Sequence, residues 1–163
     1  MADLTSIWRW LEDSSIGARV RESLWLFPAI ETIHLLGMAV LFSTIAAFDI
    51  RLLDLALRGL RVQVLARRLL PWAWAAFAVQ VITGLLLFSS EATKMAINPA
   101  FRLKMLLIAL AGLHALLFRI VAWRDMPSWA APASTPIRAK LAGLSSLALW
   151  IGVVAAGRWI GFI

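Results

Sequence analysis

The chain has 163 residues, of which 62% are hydrophobic and only 15% charged, and its net charge is +7 at pH 7. Soluble domains run about 45–50% apolar and about 25% charged, so this composition excludes a soluble enzyme domain, a disordered chain and a nucleic-acid module with a polar surface. It is the composition of a polytopic membrane protein, and the absence of cysteine excludes disulfides, thiolate metal sites, Fe–S clusters and covalently attached haem.

Residues 1–13 set Leu4, Ile7, Trp8, Trp10 and Leu11 beside Arg9, Glu12 and Asp13. The segment is too short and too charged to span a bilayer. It predicts an amphipathic helix in the interface, with Trp8 and Trp10 at headgroup level. Ser14, Ser15 and Gly17 break it. The first span is predicted over residues 24–48, with Pro28 tolerated in its first turns. Asp49 and Arg51 read as a helix-end charge pair. Residues 49–70 form a basic connector in which Leu and Val alternate with Arg51, Arg58, Arg61, Arg67 and Arg68 at helical spacing, predicting a helix lying on the membrane.

The second span is predicted over 70–88, with Pro71 at its first helical position and Trp72 and Trp74 at an interface. Residues 89–101 are a short loop with the turn pair Asn98-Pro99. The third span is predicted over 103–123. A loop follows with Pro127, Pro132 and Pro136, in which Thr135 reads as an N-cap. The fourth span is predicted over 137–160, ending in a possible packing notch at Gly157 and Gly161. The fold expected is thus all-α: an integral membrane four-helix bundle, a single domain over 1–163, with an interfacial N-terminal helix. Arg and Lys favour the 49–70 connector and the 119–140 loop. That bias makes those loops cytoplasmic and both termini periplasmic. The partners expected are the lipid bilayer and either further copies of the chain or a larger membrane complex. No basic cluster carries a nucleic-acid recognition motif.

Function inside a bilayer shows itself as polarity, because a charge or imidazole at mid-depth costs free energy. The first span carries Glu31, His34 and Met38 on one helix face. The second carries Gln80 and Thr83, and the third carries His114. The chain has two histidines. Counted from the predicted span starts, both lie near 15 Å deep, at about 1.5 Å per residue. The sharpest reading is one b-type haem with His34 and His114 as axial ligands of the iron, serving electron transfer. Glu31 or Gln80 would then orient an imidazole through its other ring nitrogen. Three other readings stand beside it. Midplane His, Gln, Thr and Glu also serve as hydrogen-bonding glue between helices in a cofactor-free structural or assembly subunit. Glu31, His34 and Met38 with His114 match a copper-type donor set. Glu31, His34, Gln80 and His114 also suit the lining of a proton or small-solute path. No phosphate loop, nucleophile elbow or zinc motif demands an enzyme.

The stretch from Glu22 to Gly37, with Trp25, Pro28, Glu31 and His34, is followed by Asp49-Ile50-Arg51-Leu52-Leu53. Together they resemble an uncharacterised family of small bacterial four-span membrane proteins. Pro71-Trp72, Gly84 and the run from Asn98 to Lys104 extend the likeness over most of the chain. The resemblance implies a bacterial inner-membrane location and a four-helix fold, and it brings no activity. Glu31 and His34 lie inside the resembling stretch, which ranks them above His114 as functional positions. The architecture also resembles the four-helix membrane cytochromes b, an analogy of fold alone.

Overall fold

The computed structural model describes residues 2–121 and 135–163. Seven α-helices follow one another in it: α1 (Ala2–Glu12), α2 (Ser15–Glu22), α3 (Leu26–Leu52), α4 (Val62–Ser90), α5 (Ala92–Ile97), α6 (Pro99–Val121) and α7 (Ile137–Trp159). A 3-10 turn at Ile160–Phe162 ends the chain, and no strand occurs among the described residues. Helices α3, α4, α6 and α7 are long and apolar enough to cross a membrane. Their outer surfaces are apolar too, with Leu35 and Leu36 63% and 64% exposed. In water such surfaces would associate; in a bilayer they meet lipid. The protein is an integral membrane helical bundle.

The four long helices run alternately up and down and stand in the order α4, α3, α7, α6. Helix α3 packs along α4 and α7, and α6 packs along α7. The backbones of α4 and α6 do not meet. At one end, where the 53–61 connector lies, Leu52, Val62, Ala66 and Ala139 form a buried cluster, with Phe48, Leu70 and Phe118 packed on it. The other end is covered by α1, α2 and α5. Trp8 meets Phe88 edge-on with ring centroids 5.6 Å apart. The Glu12 carboxylate accepts from the Thr93 N–H at 3.1 Å, and the Thr93 contacts hold its pKa below the usual carboxylate value. Arg21 donates to the carbonyls of Glu12 and Ser90. The expected amphipathic N-terminal helix is therefore present, extended by α2 and seated on the ends of α4 and α5.

Local chemistry explains the helix starts. The Ser23 hydroxyl accepts from the N–H of Leu26 at 3.1 Å and leads into α3. Asn98 accepts from the N–H groups of Ala100 and Phe101 at 2.9 and 3.1 Å, so it caps α6 and Pro99 takes the first helical position. Helix α6 thus begins four residues before the predicted span, and the loop before it contains α5. Its predicted continuation to Trp123, and Pro127 and Pro132, lie outside the described residues.

Other expectations are corrected. Helix α4 starts at Val62, so Pro71 lies inside it, not at its first position. The first turns of α4 bury Val62, Leu65 and Ala66 against the end of α3, and that packing outweighs the lost hydrogen bond at proline. The connector is not a surface helix. It turns through Asp54 and Leu57, both at φ 57°. Asp54 accepts that left-handed conformation readily, whereas Leu57 is strained by it. Thr135 does not cap α7; its hydroxyl donates to Asp54 at 2.9 Å, and Pro136 occupies the cap position.

Candidate functional site

Helices α3 and α4 pack closely around His34. A Cβ added at Gly84 would stand 3.4 Å from His34 Cε1, and one added at Gly37 would stand 2.8 Å from Gln80 Nε2. These two glycines make room for the polar side chains between the helices. His34 Nδ1 lies 2.8 Å from Thr83 Oγ1. Thr83 has one hydroxyl proton and gives it to the Val79 carbonyl at 2.6 Å. With that proton on Val79 the hydroxyl accepts from His34, the arrangement in which Nδ1 carries the proton and Nε2 a lone pair; a hydroxyl turned to His34 gives the other tautomer. Gln80 Nε2 donates to the His34 carbonyl. Gln80 is buried, and its Oε1 has no partner.

The orienting residue of His34 is thus Thr83, neither Glu31 nor Gln80. Glu31 is exposed and forms no ion pair among the described residues. Gln80 holds the backbone of His34, not its ring.

Ring contacts fix the register of the helices. Phe48 of α3 meets Phe118 of α6 edge-on, with centroids 6.1 Å apart. Counting back equally from these two along the parallel helices sets His34 level with Lys104, and Thr44 level with His114. The stack of Phe88 on Phe101, 5.2 Å between centroids, gives the same register through α4. Lys104 is half-buried and lies along α7 where Gly157 leaves room, its Nζ 3.5 Å from a Cβ built there. It has no ion pair among the described residues.

His114 faces inward, on the half-buried stripe of α6 that includes Lys104, Leu107, Ala111 and Phe118. It stands about 15 Å from the level of His34 along the bundle, at the α-helical rise. The matched depths expected from the span starts do not occur, because α6 begins earlier than its apolar run. A bis-imidazole iron needs both ring nitrogens about 2 Å from the metal. Side chains on α3 and α6 offset by three turns do not meet that condition. The residues present do not fit one haem between His34 and His114. The copper-type set fails similarly, since no three His, Asp or Glu side chains converge among the described residues.

A second polar centre was read incompletely from sequence. Arg51 is 2% exposed. Its guanidinium donates to the Leu60 carbonyl at 2.7 Å, to Asp54 Oδ1 at 2.9 Å and to Thr135 Oγ1 at 3.1 Å. Lys140 adds an ion pair to Asp54 Oδ2 at 2.9 Å. Burial alone would raise the Asp54 pKa, but the Lys140 ammonium and the Thr135 hydroxyl and N–H outweigh it and bring it down to about 2. The expected pairing of Arg51 with Asp49 is replaced by pairing with Asp54. Asp49 turns to α7, where the Ser146 side chain is its polar neighbour.

An apolar bundle with inward-facing imidazoles, an amide, an amine and a carboxyl defines a polytopic membrane protein with a polar interior. The chain belongs to the family of unknown function DUF6644, whose model matches residues 7–163. Searches of curated proteins and of solved structures found no match.

Proposed function

We propose that the protein is a proton-transfer component of the bacterial inner membrane, taking up protons at the exposed Glu31 and conducting along an interior path lined by His34, Gln80 and His114. The observation that carries this reading is their stagger. Glu31 opens the series near the end covered by α1 and α2. His34 follows one turn deeper, Gln80 sits beside Gly37 a further turn on, and His114 is level with Thr44. The steps are about 5 Å between the first three and about 10 Å to the last, at the helical rise. The same offset that parts the imidazoles too far for one iron spreads them along a route. Ionisable groups in spans cost free energy and mark proton relays. In the tautomer whose Nδ1–H faces Thr83, His34 offers Nε2 to accept a proton, and water carries it between the wider steps.

A proteoliposome experiment tests this. With an imposed potassium diffusion potential and a trapped pH-sensitive dye, the wild-type protein acidifies or alkalises the lumen faster than protein-free vesicles. His34→Leu, His114→Leu and Glu31→Gln reduce the rate to that of protein-free vesicles. A wild type that conducts no faster than empty vesicles overturns the proposal.

One observation favours a second reading, a cofactor-free subunit of a membrane complex. The Thr83–His34 and Gln80–His34 hydrogen bonds join α3 to α4, and such bonds contribute about 0.6–2 kcal/mol each. On that reading His34→Leu lowers stability, and no flux is measured in any variant.

A further inference from the structure

We propose that Asp49 is a proton-binding site at the crossing of α3 and α7, held as a neutral carboxylic acid at neutral pH, and that it is the terminal group of the path. Only its place in the path rests on the proton-transfer reading; its protonation stands on geometry.

Asp49 is 2% exposed, and its Oδ2 has no hydrogen-bond partner. The crossing is tight: a Cβ added at Gly143 would lie 3.1 Å from the Asp49 carbonyl oxygen and 3.1 Å from Leu52 Cβ. No room is left there for a shell of water. An isolated ionised carboxylate buried in this way costs several kcal/mol, and a group so placed neutralises by holding its proton.

The cations that would balance an ionised Asp49 are committed or turned away. On α3, Arg51 directs its Nε and Nη1 donors to Leu60, Asp54 and Thr135 and forms its ion pair with Asp54. On α7, Lys140 is paired with Asp54 and Arg138 is exposed; Ser146, the side chain that reaches Asp49, is uncharged. Helix α4 presents Val62, Leu65 and Ala66, while Arg67 and Arg68 are exposed. On α6, Arg119 is level with Asp49 but exposed, and His114 lies above it towards the bundle interior. Asp49 forms no ion pair among the described residues.

On release, the carboxyl O–H bond breaks, its electron pair stays on the Asp49 oxygen and the proton passes to water at the nearby end of the bundle. On uptake from protonated His114, an imidazole N–H bond breaks as the carboxyl O–H bond forms, with water between the two.

Infrared spectroscopy of the full chain in lipid at neutral pH tests the site. A C=O stretch of carboxylic-acid type that shifts in heavy water and depends on residue 49 reports Asp49. It is lost in Asp49→Asn, and Ser146→Ala displaces it by removing the polar neighbour. Asp49→Asn also keeps the wild-type melting temperature, since an amide mimics the neutral acid. No such band in the wild type, or a band unchanged in Asp49→Asn, overturns the site. If Asp49→Asn does not fold, a band unmoved by Ser146→Ala overturns it equally. Proton flux measured on the same samples separates the two claims. A band lost in Asp49→Asn together with lost flux supports both. A band lost with flux intact supports the proton site and overturns its place in the path. A wild type that shows the band but conducts no protons overturns the transport reading alone.

Discussion

At the scale of single residues, Asp54 is the most exacting position. It accepts from Arg51, Thr135 and Lys140 and so ties the 53–61 connector to the start of α7. Asp54→Asn leaves the 2%-exposed Arg51 without its counter-charge, which costs about 3 kcal/mol. The expected result is a lower melting temperature in detergent at pH 7. The pH dependence has a defined sign. The folded-state pKa is about 2, against an ordinary 3.8. Stability from this group is therefore fully present above about pH 4 and is lost as pH falls toward 2, by about 2 kcal/mol. Melting temperatures taken across that window, with Asp54→Asn showing a flatter profile, check the assignment. The sequence marked Asp49-x-Arg51 as a pattern but paired the wrong acid. Asp54 reaches back to Arg51 because its backbone is left-handed, and side-chain spacing carries no sign of such a turn. Thr83 was visible as a polar residue in a span. Its role as the partner of His34 depends on the α3/α4 register, which spacing within one helix does not fix.

At the scale of elements, the four spans were legible because uninterrupted apolar runs of about 20 residues have few other readings. Their ends were not. Arg67, Arg68 and Pro71 read as a boundary, yet α4 runs through all three because its first turns pack on α3. In the sequence Lys104 stands next to the start of the predicted third span at residue 103. The period that includes Leu107, Ala111 and His114 is what places it inside. Another element-scale contact is the crossing of α2 over the end of α4. A Cβ at Gly17 would stand 2.6 Å from the Ser89 carbonyl and 2.8 Å from two carbonyls of α1. Backbone cannot yield there as a side chain would. Gly17→Val is expected to cost about 2 kcal/mol and to lift α1 and α2 from the bundle. Faster proteolysis between residues 12 and 26, with the spans intact, is the measurement.

For the whole molecule, the sequence count of depth failed because it measured from the first apolar residue of each run. Packing sets the register instead, through Phe48 on Phe118 and Phe88 on Phe101. The arrangement puts both chain ends at one end of the bundle: α1 packs on α5, and Asn98 donates to the carbonyls of Ile160 and Ile163 at 3.3 and 2.8 Å. Reporter enzymes fused to either terminus are expected to report the same side of the membrane, with the 53–61 connector accessible only from the other. On the positive-inside tendency the basic connector would face the cytoplasm, and the fusions are then expected to report the shared side as periplasmic. Opposite readings from the two fusions would contradict the bundle.

Because α4 and α6 share no backbone interface, the molecule is joined along one flank and fastened on the other by a pair of stacked rings near its α5 end. That flank is closed by side chains alone: by Phe88 on Phe101 at one end and by Phe118 on the cluster of Leu52, Val62 and Ala66 at the other, with His34 and Lys104 at a level between them.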